Sequence, residues 1–368
     1  MGNLSLSRSR SREGFSRRSY NRNDQGRANR SYSFGHHTAR NSYQECVIRR
    51  PVHTECVTAL ASARADLVIT GGKDAVVALV NYESGECVKK WTGHERDITK
   101  VAYCEPSSKP FVFSASRDGL AILWKFDENS VQRLFSGHEL AVAGLAPSED
   151  CAYLCTGSRD NTIRLWDVER GKCLARQDVA QNLVTHVAWR SGVSNLIAQS
   201  SEDKELKLWD PRDLTLVFSF PKKQYIQMHC DISMDGQYCL TCSNGFNSNG
   251  CELTMWDIRQ RKMLREYVGH QQSANCAIFI NQQDVYKTML LSVSTDHTVR
   301  VWNTEDSQSL WTEYIVSGGS ILTAANCENG IVVGGQNGCL CHLTLHFDND
   351  KIYLRNRSMQ VHTPASIP

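Results

Sequence analysis

The sequence predicts an all-β fold in which seven units of one kind close into a ring, a seven-bladed propeller, behind a disordered basic segment. Three observations predict it. A hydroxyl residue, an Asp and a Trp recur together in three strong copies, seven landmarks of these and weaker copies return every 40–47 residues, and the first 43 residues carry none of the pattern. Self-similarity at such a period belongs to repeated supersecondary units, so the usual estimate of domain number from length does not apply.

The clearest copy holds Gly137-His138, then Thr156, Asp160 and Thr162-Ile163-Arg164-Leu165-Trp166-Asp167. Its neighbour holds Gly93-His94, Ser114, Asp118 and Trp124, and a later copy has Gly269-His270, Ser292, Asp296 and Trp302. Weaker copies end at Val80, Trp209 and Trp256, and a last one at His342. In Thr162-Ile163-Arg164-Leu165-Trp166 bulky apolar residues alternate with Thr and Arg, the period-two sign of a strand. Gly, Asp and Asn between such runs mark turns. A small sheet with two apolar faces cannot stand alone, so each copy stacks on the next until the last meets the first.

Ring closure is predicted from an internal alignment. The segment from Glu45 to His53 matches Glu86 to His94 at an offset of 41, so residues 44–50 are expected to be an outer strand completing the last blade. Ile352-Tyr353-Leu354-Arg355 is the rival for that edge. The expected boundaries are a tail over 1–43, a propeller over 44–346 and an extension over 347–368.

These residues and spacings resemble the WD-repeat family, over residues 44 to about 346. The resemblance implies a seven-bladed WD-repeat β-propeller and a structural tetrad in each strong copy. The hydroxyl lies ten residues before Trp and the Asp six before it. The implied roles run from Trp124 through Ser114 and His94 to Asp118, from Trp166 through Thr156 and His138 to Asp160, and from Trp302 through Ser292 and His270 to Asp296. A serine locked to a buried indole is no nucleophile, so Ser, His and Asp here do not predict a hydrolase. The first copy keeps His53, Thr70 and Asp74 but has Val80 for Trp. The fourth has Gln199 at the hydroxyl position and no Gly-His, and the fifth stretches its hairpin through 242–251. Blades four and five are therefore expected to be the less rigid part.

Charge divides the chain. Residues 1–43 hold nine Arg against Glu13 and Asp24, a net of +7; the whole is +2, so residues 44–368 carry −5. Rich in Ser, Arg, Asn and Gly, the first segment buries too little apolar surface to offset chain entropy and is expected to be disordered. It begins Met1-Gly2-Asn3-Leu4-Ser5-Leu6-Ser7, which resembles an N-myristoylation start with Leu6 in the usual Ser/Thr place. An acyl chain on Gly2 and the arginines from Arg8 to Arg22 would together hold an anionic membrane surface, since one chain alone binds marginally. A plain solvated tail and an RNA-binding tail are the alternatives, and nucleic acid is the least expected partner because no folded RNA module accompanies it.

Fifteen Cys, an odd number at scattered spacings, predict reduced thiols used as small apolar groups in a cytoplasmic protein rather than a secreted disulfide framework. Cys239-Leu240-Thr241-Cys242 has a CxxC form, but residues three apart on a strand face opposite ways, so no metal and no other cofactor is expected. No phosphate-binding loop, nucleophile elbow or dinucleotide fingerprint is present.

Function is therefore expected from surfaces. In WD propellers the residue before the turn Asp lies near one rim, which assigns Lys73, Arg117 and Arg159 to adjacent blades as a site for an acidic protein segment. Trp209-Asp210-Pro211-Arg212 and Trp256-Asp257-Ile258-Arg259 are paired WDxR sequences, which resemble those by which substrate receptors dock the cullin-4 ligase adaptor. The expectation is a non-enzymatic scaffold, monomeric within larger assemblies of trafficking, cytoskeletal or ciliary kind, cytoplasmic or membrane-peripheral. A ligase substrate receptor and an RNA-linked factor are the alternatives.

Overall fold

The computed structural model describes residues 46–361 except 180, 182, 191–194, 281–287, 316–318 and 349–350. The tail, with Gly2 and its arginines, lies outside the described residues, as do Gln44 and Glu45.

Seven sheets follow one another along the chain, each of four antiparallel strands consecutive in sequence: 57–92, 98–135, 142–178, 184–219, 227–267, 274–314 and 321–360. The reason for stacking is visible in one strand of blade one, Val76–Asn81. Val77 and Leu79 pack with Ile122 and Trp124 of blade two, while Ala78 and Val80 pack with Val332 and Leu340 of blade seven. Alternation with both faces apolar obliges a sheet to be covered twice, and a ring covers all seven without a terminal blade.

Each innermost strand carries a bulge at its second residue, between Val57 and Ala59, Ile98 and Lys100, Val142 and Gly144, Val184 and His186, Gln227 and His229, Ala274 and Cys276, and Ile321 and Thr323. The bulged residue is freed from the ladder, and in four blades it donates to the next blade. Thr58 Oγ1 bonds Ile98 O at 2.5 Å, Thr185 Oγ1 bonds Gln227 O at 2.5 Å, Asn275 Nδ2 bonds Ile321 O at 2.7 Å, and Thr99 bonds Val142 O. Blades three, five and seven have Ala143, Met228 and Leu322 in that place.

Closure departs from the expectation for residues 44–50. The fourth place in blade seven belongs to Lys351–Gln360, which pairs antiparallel with Leu340–Asp348 over nine residue pairs. Val47–Arg49 is a fifth strand outside it, parallel and three pairs long. Chain entropy explains the order. Two residues separate the hairpin strands, so their long ladder forms at little loop-closure cost, whereas the early strand must return around the whole ring. Leu354, Met359 and Val361 join the core of blades six and seven, so of the expected extension over 347–368 the described residues, 347–348 and 351–361, are part of the last blade. Across the seam to blade one, Asn329 Nδ2 donates to Asp66 at 2.7 Å, Gln360 Nε2 to Gly85 O at 3.0 Å and Ser358 Oγ to Tyr82 O at 3.3 Å.

Candidate functional site

In blades two, three and six the recurring polar residues form one buried chain of hydrogen bonds. The Trp124 indole N–H donates to Ser114 Oγ at 2.8 Å, Ser114 lies 2.8 Å from His94 Nε2, and His94 Nδ1 lies 2.8 Å from Asp118. For Trp166, Thr156, His138 and Asp160 the distances are 2.8, 2.8 and 3.0 Å, and for Trp302, Ser292, His270 and Asp296 they are 2.8, 2.7 and 3.0 Å. Each indole approaches its histidine edge-on, at centroid distances of 6.0–6.3 Å. The hydroxyl accepts from Trp and donates to His Nε2, which fixes the Nδ1–H tautomer facing the carboxylate. Each Asp also accepts the backbone N–H after its histidine and the one two residues beyond itself, so the unit clamps the loop between blades. These hydroxyls are fully buried and already engaged, which removes them from nucleophilic chemistry.

The variant copies substitute other chemistry. In blade one Thr70 and Asp74 hold His53 at 2.7 and 3.0 Å, and Val80 packs on blade seven where an indole would otherwise sit. In blade four the Trp209 indole donates to Gln199 Oε1 at 2.8 Å, an amide doing the work of the hydroxyl. Buried Lys207 there binds Asp203, and Glu205 at 2.9 Å. In blade five Trp256 keeps Thr241 at 3.0 Å, and the stretched hairpin crosses to blade six through Ser248 N and Gln271 O at 2.9 Å.

The clamp carboxylates set an acid limit on stability. Burial works to raise the pKa of Asp118, Asp160 and Asp296, but the histidine bonds and the backbone or hydroxyl donors prevail and hold all three below the usual range. A depressed folded-state value contributes stability above the unfolded carboxylate pKa that is lost as pH falls toward the folded value. The melting temperature is therefore expected to be flat above about pH 5 and to drop steeply below about pH 4. Asp160→Asn should lower the plateau and reduce that drop in melts across this range; an unchanged acid limb would remove the clamp from the explanation.

The rim residues are less uniformly basic than their sequence suggests. Lys73, Arg117 and Arg159 are all exposed. Arg117 lies 3.6 Å from Asp97 and Arg159 lies 2.7 Å from Glu202 of blade four, so both guanidiniums have acidic neighbours. A cleft over blades two and three is lined by Arg96, Arg117 and Arg159, by Glu95 and Glu139, and by Leu140, which is 53% exposed. Lys73 does not line it. The expected site of three adjacent bases is thus a mixed-charge cleft that holds two of them beside the exposed Leu140. Arg212 and Arg259 are exposed in the turns after Trp209 and Trp256, before the outer strands of adjacent blades. Arg212 is held against its own Asp210 at 2.5 Å, and that hydrogen bond, with the backbone N–H of Arg212, pulls the carboxyl down to about 2.

Cys239 and Cys242 face the cores on opposite sides of blade five, so they do not form one ligand set. Cys104 of blade two and Cys151 of blade three meet across the seam with Cα atoms 6.7 Å apart, a juxtaposition that no spacing announced. Burial pushes the thiols of Cys230 and Cys339 up to about 12, which makes them inert apolar fillers.

Comparison with known proteins agrees with this geometry. The model of the WD domain, G-beta repeat, matches residues 85–125, 129–167 and 261–303, the stretches that end the three complete tetrads. The nuclear distribution protein PAC1 of Yarrowia lipolytica is 29% identical over 181 residues, covering 45% of this chain and 41% of that protein. The kinesin-like protein KIF21B of Mus musculus is 22% identical over 300 residues, covering 73% of this chain and 17% of its own length. Pre-mRNA-processing factor 19 of Bos taurus is 27% identical over 163 residues, 44% of this chain and 32% of that protein. The chain thus spans less than half of each relative. Seven blades of one repeat, clamped by a Trp–hydroxyl–His–Asp chain in blades two, three and six, are the mark of one family: the chain belongs to the WD-repeat β-propellers.

Proposed function

We propose that the protein is a non-enzymatic interaction scaffold that docks partner segments in the cleft over blades two and three. The observation that carries this is the pairing of Arg117 and Arg159, both exposed, around the exposed side chain of Leu140. An apolar anchor ringed by arginines suits a peptide with a hydrophobic residue beside acids, which would exchange its carboxylates for those of Asp97 and Glu202. Cytoskeletal or trafficking assemblies are the setting we favour, because relatives bear the names nuclear distribution protein and kinesin-like protein.

A cullin-4 substrate receptor is the second reading, favoured by the exposure of Arg212 and Arg259 in equivalent turns of adjacent blades. Membrane attachment through an acylated Gly2 is a separate proposal about where the scaffold works. Proximity labelling in cells separates them. Arg117→Glu with Arg159→Glu should remove the main set of labelled neighbours while leaving the melting temperature within a few degrees of wild type, surface changes costing about 0.5 kcal/mol or less. An unchanged neighbour set would overturn the cleft. Loss of the cullin-4 adaptor only in the Arg212→Ala, Arg259→Ala variant would favour the ligase reading, and loss of membrane neighbours only in Gly2→Ala would favour acylation.

A further inference from the structure

Because every inner strand bulges at the same step, the residues just past the bulge form one layer around the centre of the ring: Ala59, Lys100, Gly144, His186, His229, Cys276 and Thr323. Three of the seven can carry positive charge and none is acidic. Between Lys100 and His186, Gly144 adds no side chain. The rings of His186 and His229 stack with centroids 3.8 Å apart. Lys100 is half-buried, has no ion-pair or hydrogen-bond partner among the described residues, and its charge acts on both imidazoles. His229 is buried; the backbone of Ala277 accepts from its ring, and Nδ1 is left without a partner.

Burial lowers the pKa of both histidines, and the Lys100 charge lowers them further; burial also lowers Lys100. The other titratable groups here do not supply a counter-charge. Burial raises the thiols of Cys230, Cys242 and Cys276 and so keeps them neutral, Cys230 lying 3.7 Å from His186 Nδ1. Asp231 stands two residues further along the strand. It accepts the N–H of Phe279 and of Ile232, and Arg190 is the cation that acts on it. Three basic groups thus share a layer of low polarity without an anion, which drives the imidazoles toward their neutral forms until one arrives.

We propose that the central channel binds a small tetrahedral oxyanion, a phosphate or phosphomonoester, between Lys100, His186 and His229. Lys100 offers three donors and protonated His229 its otherwise unpartnered Nδ1–H, with His186 beside it, a set that suits the acceptors of such an ion. A metal cation fits less well. Lys100 repels it, and stacked rings aim their lone pairs in nearly parallel planes rather than at one point. Binding an anion favours the protonated imidazoles, so affinity rises as pH falls and protons are taken up on binding.

The test is titration calorimetry of the full chain with sulfate, whose charge stays constant over the range, at about pH 6 and about pH 8. Saturable binding that tightens at the lower pH, with proton uptake read from two buffers, is expected. Lys100→Met should weaken it by at least about tenfold without lowering the ligand-free melting temperature, since a buried charge is removed. His229→Gln should flatten the pH dependence, a measurement that stands even if one variant folds poorly. Inorganic phosphate binding in preference to glycerol phosphate assigns the free ion, and equal binding assigns the ester. No saturable heat with either, binding undiminished in Lys100→Met, or zinc binding lost in His186→Ala would overturn the proposal.

Discussion

Trp166→Ala is expected to lower the free energy of unfolding by about 3–5 kcal/mol, the range for emptying a large aromatic site. Trp166 is fully buried between blades two and three, edge-on to Phe135 at 5.8 Å and under the Arg164 guanidinium at 5.9 Å. Its removal leaves a cavity and deprives the Thr156 hydroxyl of its donor, and a buried polar group left unpaired adds to the loss. For a chain of this size the melting temperature should fall by several degrees or more, at about 2–4 °C per kcal/mol. Val80→Ala, at the equivalent place in blade one, removes two methyl groups and no hydrogen bond and should cost far less. Coincident melts of wild type and Trp166→Ala would refute the role given to the tetrad.

Deleting residues 351–361 is expected to be more damaging still. Leu354, Met359 and Val361 leave the core, each worth about 1.5–3 kcal/mol. The nine-pair ladder along Leu340–Asp348 becomes an open edge, and such edges recruit other chains. The shortened protein should be found in aggregates. Deleting 44–50 removes the three-pair strand, the bond from Arg49 to Glu83 O at 2.6 Å, the bond from Val361 N to Arg49 O at 3.2 Å and the packing of Cys46, and should leave a soluble ring with a lower melting temperature. Size-exclusion chromatography with melts of both deletions decides it: a monodisperse 351–361 deletion melting like wild type would take that strand out of ring closure.

Features set by spacing along one copy were legible in the sequence. The tetrads repeat with the hydroxyl and Asp at fixed distances from Trp, and the seven landmarks counted the blades. Features set by which segment wins a place were not. Residues 45–53 do resemble the outer strand at 86–94, but the parallel strand they contribute sits outside a hairpin that closes more cheaply. Arg117 and Arg159 were visible as charges, yet Glu202 lies 43 residues from Arg159 and its pairing follows only from the packing of blades three and four. Gln199 reads as a loss against a hydroxyl pattern, although an amide oxygen accepts from indole as well. The channel layer recurs at the blade period, and Ala59, Lys100, Gly144 and Cys276 each lie six residues after His53, His94, His138 and His270; it was not legible because its side chains share no residue type from one copy to the next.

The bonds from bulged residues have a mechanical consequence. Thr58, Thr99, Thr185 and Asn275 tie four seams at the inner edge, Asp231 ties the seam of blades five and six through Phe279 N, and the last seam carries Asn329, Ser358 and Gln360 further out. Among the described residues the inner edge between blades three and four has only apolar contact. There Gly144 lies so near Val187 that a Cβ would meet its Cγ2 at 2.4 Å. Directional bonds resist sliding, whereas apolar contact tolerates it as long as area stays covered. Among the described residues the inner edge is thus unpinned at two seams, this one, tied further out by Arg159 and Glu202 at 2.7 Å, and the last, and dilation of the pore would fall on these two rather than on the five pinned ones.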